Sequence, residues 1–254
     1  MGREKMSAIF TIWLRNMKRY LRSKSRIISS LAQPLFFLLA LGFGLGAAIN
    51  GASGGGFDYL KFIVPGIIAM TVLFTGIFSG IQIIWDRQFG FLKETLIAPV
   101  SRVSIMLGQT LGGATTAMIQ GIIILIISFF IGSMSFGFGI LIALLFMILI
   151  GIAFTAMGIA IASRMEDMQG FQLIMNLVVM PIFFLSGALF PIANLPAALK
   201  IVVSVNPLTY GVEGVRYGIL GASTIHPLMS LAVIGGFGLV MVLLGGYLFR
   251  KMKA

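Results

Sequence analysis

Six long apolar runs organise the chain, at 27–49, 62–85, 105–132, 138–162, 170–190 and 228–249. Each reaches or exceeds the roughly 20 residues that a helix needs to cross a hydrocarbon layer. None sustains the alternation of a membrane β-strand, so a barrel is disfavoured. The pattern predicts an all-α membrane protein with six transmembrane helices. The first run is too long for the core of a cleaved signal peptide, and five more follow, so Gly46-Ala47-Ala48 is a weak cleavage lookalike.

The segment 1–26 has a different pattern. At about 100° per residue from Ile9, the residues Met6, Phe10, Trp13, Leu14, Met17, Tyr20 and Leu21 share an arc of roughly 140°, while Arg15, Lys18, Arg19 and Arg22 occupy the opposite one. Ile12 is the one large apolar residue off the stripe. This predicts an amphipathic helix lying in the membrane interface, its basic face toward anionic headgroups. The domain reading is therefore 1–26 as that helix and 27–254 as a six-span unit.

Composition sharpens the class. Of 254 residues, 59% are hydrophobic and 10% charged, against about 25% charged in a soluble domain. Mean hydropathy is +1.07. These values exclude a soluble enzyme, a disordered tail and a nucleic-acid-binding module, despite a net charge of +11. The basic residues serve orientation instead. Fifteen of the 18 Lys and Arg fall at the ends and loops on one side of the six-span scheme, and only Lys61, Lys200 and Arg216 on the other. By the positive-inside rule both termini are expected in the cytoplasm of a multi-pass cell-membrane protein.

The loops differ in character. Residues 50–61 carry Gly-Ala-Ser-Gly-Gly-Gly and read as a tether. The cytoplasmic loop reads DRQFGFLKETLIAPVSRVS, with Gly90 and Pro99 bracketing a short helix-competent stretch. Phe91, Leu92, Leu96 and Ile97 are too apolar for a loop with nothing to bury against, which favours docking by a partner protein over packing on the bilayer. Glu166 and Asp167 stand in a short turn without a His or a third carboxylate, so a solvated turn is preferred to a metal or acid–base site. The stretch 191–227 is semi-apolar but broken by Pro191, Pro196, Pro207 and several Gly. It predicts two short helices, near 197–205 and 210–220, in a re-entrant helical hairpin dipping into the outer leaflet.

A census of chemistry finds no catalytic set. The chain has no Cys, one His (His226), no phosphate-binding loop and no metal-ligand spacing. His226 reads as an interfacial residue. The six runs contain no Asp, Glu, Lys, Arg or His, which argues against a proton-driven relay and for energy supplied from outside the membrane. They hold neutral polar residues instead, among them Gln33, Thr71, Thr75, Gln82, Gln109, Thr115, Gln120 and Asn176. The pairs Gly42/Gly46, Gly76/Gly80 and Gly108/Gly112 predict close helix contacts, and Pro34 and Pro181 predict kinks.

Several stretches in this order resemble the membrane permease of type-2 ATP-binding-cassette exporters, a group that includes drug, lipid and polysaccharide export permeases. They are PGIIAM from Pro65, DRQFGFLKETLIAPVSR from Asp86, LGQTLGG from Leu107, FLSGALFPIANLPAALK from Phe184 and NPLTYGVEGVR from Asn206. The resemblance implies a permease that is not itself an enzyme and binds no cofactor, with ATP and Mg on a partner ATPase. Two ATPase subunits and a second permease copy, identical or related, would complete the complex within membrane lipid. The coupling helix would present Phe91, Leu92, Lys93, Glu94, Thr95 and Leu96, with Arg102 beside it. The second and fifth spans would line the substrate path through Thr71, Thr75, Gln82, Asn176, Met180 and Phe183. An outer gate would involve Pro191, Asn206, Pro207, Tyr210, Glu213 and Arg216. The cargo would be hydrophobic or amphipathic. A secondary carrier or channel working without an ATPase is the alternative, followed by a membrane scaffold.

Overall fold

A computed structural model describes residues 2–52, 58–90, 100–131 and 137–252. Helix α1 (Gly2–Arg22) ends at Ser23, where the backbone leaves helical geometry, and α2 (Lys24–Leu39) begins the first span. That span widens into a π-helical turn over Ala40–Leu45 and finishes as α3 (Gly46–Ala52). The second span is α4 (Tyr59–Phe78) continued by α5 (Ile81–Gln88). Next come α6 (Arg102–Phe130) and α7 (Gly139–Ala162). The fifth apolar run is divided into α8 (Met168–Ile174), a π-helical turn over Met175–Val179 and α9 (Met180–Phe184). The short α10 (Ala197–Val205) and α11 (Pro207–Leu220) precede the final span, α12 (Pro227–Arg250).

Among the described residues there is no strand, and five helical stretches are long and apolar enough to cross a membrane. The fifth run makes a shorter apolar helix, Met168–Phe184. Its register widens just before Pro181, which cannot donate a backbone hydrogen bond, and the chain then turns at Gly187, whose φ is +71°.

Side-chain caps fix where the helices start. The side chains of Asp58, Ser101, Asp167 and Asn206 accept from the backbone N–H of Lys61, Ser104, Gly170 and Leu208. Asp167 of the acidic turn is thus a helix cap. His226 has the same role for α12, accepting from Leu228 N at 3.3 Å. Pro207 and Pro227 occupy first helical positions, where no N–H is needed, and Gly221 closes α11 at φ +71°.

The core lies where α4, α6, α7, α11 and α12 meet. Gly76 and Gly80 let the second span lie directly on Thr155 and Gly158 of α7. The bundle has two dissimilar ends. One holds α1, Arg102 and the C-terminal residues. The other holds α10, α11 and the start of α12.

Candidate functional site

At the α1 end a cavity of about 620 Å3 opens between α1, α2, the second span and α6. Its α1 wall is seated by small residues. A Cβ at Gly108 would meet Ile12, and one at Gly112 would meet Asn16. Trp13 Nε1 donates to Thr115 Oγ1 at 3.0 Å, and Asn16 Nδ2 donates to Gln109 Oε1 at 2.7 Å. The face of α1 that packs inward therefore runs from Ile12 and Asn16, between the basic arc and the apolar stripe, to Tyr20 at the edge of the stripe. Met6, Phe10 and Leu21 of the stripe stay exposed. Ile12, off the stripe in the sequence pattern, is buried because α6 offers it glycine.

Arg15 and Arg19 reach Asp86 at 3.4 and 4.0 Å, and Gln82 Nε2 donates to the same carboxylate at 2.6 Å. Asp86 is 6% exposed at the end of the second span, so α1 is charge-paired to that span. Within the cavity wall, the buried Gln120 links three spans. Its Oε1 accepts from Thr75 Oγ1 at 2.7 Å and its Nε2 donates to Ser30 Oγ. Tyr20 lies buried in the same wall, and burial pushes its phenol above the ordinary value, so it stays a neutral hydroxyl.

The opposite end is built on a buried ion pair. Glu213 is fully buried and Arg216 is 5% exposed. Arg216 Nη1 donates to Glu213 Oε1, and Nη2 donates to Gly187 O at 2.9 Å. The guanidinium also lies 4.3 Å from the centre of the Phe62 ring. The other oxygen of Glu213 accepts from the backbone N–H of Thr224 and Ile225. One pair thus fastens α11 to the turn after α9, to the second span and to the loop before α12. The packing of α11 on α7 is close, because Gly211, Gly214 and Gly218 face Ile150, Phe146 and Ala143.

The residues singled out from sequence divide among these regions. Thr75 and Gln82 line the cavity. Thr71 is buried in α4 with its hydroxyl on Ile67 O at 2.8 Å. Phe183 packs edge-on against Phe74, a cavity residue, at 6.0 Å. Asn176 is exposed and Met180 half-buried on the fifth run, and neither lines the cavity. Phe91, Leu92, Lys93, Glu94, Thr95 and Leu96 lie outside the described residues. Arg102 donates to Arg250 O at 2.9 Å and Met252 O at 2.8 Å, joining the start of α6 to the C-terminal end.

Of the gate residues, Pro191 precedes a short 3-10 turn, and Pro207 opens α11. Asn206 Nδ2 donates to Ile182 O and Leu185 O at 2.6 and 2.9 Å, while Tyr210 Oη donates to Ser204 O at 2.7 Å. The sequence reading passed over Asp86 as a partner for α1. Its signal was present, since Gln82 and Asp86 stand four apart on one helix face, but the matching Arg15 is 71 residues away in sequence.

Residues 7–220 match the membrane family described as ABC-2 type transporter. The chain belongs to that family. As an ABC-2 permease it is the membrane transport subunit of an ABC transporter, and the family places the ATPase on a separate ATP-binding subunit. Similar proteins include Nodulation protein J of Rhizobium leguminosarum bv. viciae, 26% identical over 243 residues that cover 94% of this chain and 93% of the relative. The Nodulation protein J of Rhizobium meliloti (strain 1021) is 27% identical over 243 residues, covering 94% and 92%. The Inner membrane transport permease YadH of Escherichia coli (strain K12) is 26% identical over 230 residues, covering 89% and 88%.

Proposed function

We propose that this ABC-2 permease is the membrane half of an exporter that moves a hydrophobic or amphipathic substrate out of the cytoplasm or the inner leaflet. Two permease copies, identical or related, pair in the cell membrane, and each receives a cytoplasmic ATPase that carries ATP and Mg. The α1 end is the cytoplasmic end, with both termini there. The charge split supports this orientation, since Arg15, Lys18, Arg19, Arg22, Arg87, Arg102, Arg164 and Arg250 all belong to that end.

The observation that carries the reading is how the segment between α5 and α6 is mounted. It holds the apolar residues Phe91, Leu92, Leu96 and Ile97. Just before it, Asp86 is paired with α1, and just after it, Arg102 is held on the C-terminal carbonyls. A force applied to the segment by an ATPase is therefore delivered to α5, α6 and α1, the elements that wall the cavity. Only a difference in ATPase docking free energy between two states can drive such a change. Glu213 and Arg216 hold the outer end while the inner end moves.

The test is Leu92→Asp combined with Leu96→Asp, expressed with the cognate ATPase. The double variant is expected to reach the membrane and to lose nucleotide-driven transport in inverted vesicles. Transport at the wild-type rate would overturn the docking role, and transport without nucleotide would overturn the reading as a whole.

A further inference from the structure

We propose that the cavity between α1 and the first three spans is a ligand site inside a single copy of the chain, shaped for an uncharged, polyhydroxylated head group of an amphiphile. The export reading above supplies only the direction of transport, and binding at this site stands independently of it.

The argument starts from which polar atoms the protein has already used. Amides inside a membrane bundle normally bind one helix to another, and Gln120 does so with both ends. The other three glutamines of the wall do not use both ends. Gln109 uses its oxygen on Asn16, which leaves its NH2 group without an acceptor among the described residues. Gln82 uses its nitrogen on Asp86, which leaves its oxygen. Gln33 makes no hydrogen bond to another described residue and lines the same space. Donors and acceptors thus remain side by side at one cavity. A hydroxyl both donates and accepts, so several on one small scaffold match this mixture, whereas a carboxylate or an ammonium satisfies only half of it.

Charge and shape agree. No carboxylate lines the cavity among the described residues, and its one cation, Arg19, has a side chain 46% exposed and already faces Asp86. Phe78 and Trp85 present partly exposed apolar rings to the same space, a surface for a carbon skeleton or the start of an acyl chain. The volume of about 620 Å3 falls among small-molecule sites, which run from about 300 to 1,000 Å3.

The test uses the full chain in phosphatidylcholine nanodiscs. There are two Trp, so Trp13→Phe leaves Trp85 of the cavity as the reporter. Dodecyl glucoside, dodecyl sulfate and dodecyltrimethylammonium are added at equal mole fractions. The glucoside is expected to give a saturable change in Trp85 emission, and the two charged amphiphiles only a linear drift. Gln109→Leu should weaken the glucoside response by about 3- to 10-fold, the loss of one net hydrogen bond. Gln33→Leu touches no packing bond and should weaken it by a similar factor, which separates binding from folding. Equal responses to all three head groups, or an unchanged midpoint in Gln33→Leu, would overturn the proposal. Saturable glucoside binding in a chain whose transport needs no nucleotide would uphold the site and refute the exporter.

Discussion

The two ends of the bundle use charge in opposite ways. At the α11 end, Glu213 and Arg216 are both buried, and beyond their mutual bond they are tied to backbone groups of two separate segments, Gly187 O and the N–H groups of Thr224 and Ile225. At the α1 end, Asp86 is buried but faces Arg15 and Arg19, whose side chains are 43% and 46% exposed. A buried pair is costly to break because its survivor has no water to return to. A half-exposed pair can exchange its partner for solvent at little cost. Packing follows the same division. Gly214 and Gly218 of α11 lie against a phenylalanine ring and helix backbone, whereas Gly112 under α1 meets the Asn16 side chain. One end is fixed, and the other has a cavity and adjustable contacts beside the segment where the ATPase is proposed to dock.

The sharpest way to break this comparison is Glu213→Ala. It strands a guanidinium in the bundle and should cost about 3–5 kcal/mol, read as a large fall in the thermal unfolding midpoint of the purified chain in detergent. The double change Glu213→Leu with Arg216→Met removes both charges and should recover most of that loss. If the single variant melts like wild type, the fixed end is not fixed by this pair.

A smaller effect is expected from one added methyl group at each end. Gly214→Ala drives a Cβ into the Phe146 ring, which is enclosed in the core, and should cost about 1–3 kcal/mol. Gly112→Ala meets the Asn16 amide and Cβ on a helix that borders the cavity and can ease outward, so its cost should fall below that at Gly214. The paired melting curves check this, and equal destabilisation at the two glycines would erase the mechanical difference between the ends.

The sequence made some of this arrangement legible and hid the rest for identifiable reasons. Span positions follow from length and apolarity alone, and the two short helices before α12 follow from Pro196, Pro207 and Gly221. Close contacts at Gly76/Gly80 and Gly108/Gly112 were legible as contacts, but a glycine pair does not name its partner. The partner of the second pair is α1, a helix that the amphipathic pattern assigns to the membrane surface. Periodicity reports which residues avoid water, and both lipid and a glycine groove satisfy that, so Phe10 on the stripe stays exposed while Ile12 off the stripe is buried. The cavity was legible only as a scatter of neutral amides, because Gln33, Gln82, Gln109 and Gln120 converge from three spans. The Glu213 and Arg216 pair stands at helical spacing, yet spacing is silent on burial.

Asp86→Asn should give the smallest change in stability and the most specific one. Asparagine keeps the oxygen that accepts from Gln82 and loses the charge and the second oxygen that face Arg15 and Arg19. For partners this exposed, the loss should be about 0.2–1 kcal/mol. It should also vanish in salt, since at about 1 M the screening length falls to about 3 Å. Wild type and variant should therefore differ in melting midpoint at low ionic strength and converge at high. A function readout adds what stability cannot. If α1 transmits ATPase motion through Asp86, the variant should show weaker substrate stimulation of ATP hydrolysis at low salt, and wild type should approach the variant as salt is raised. A salt-independent difference would mean that Asp86 works through packing or hydrogen bonding, and the α1 end would then be as rigid as the other.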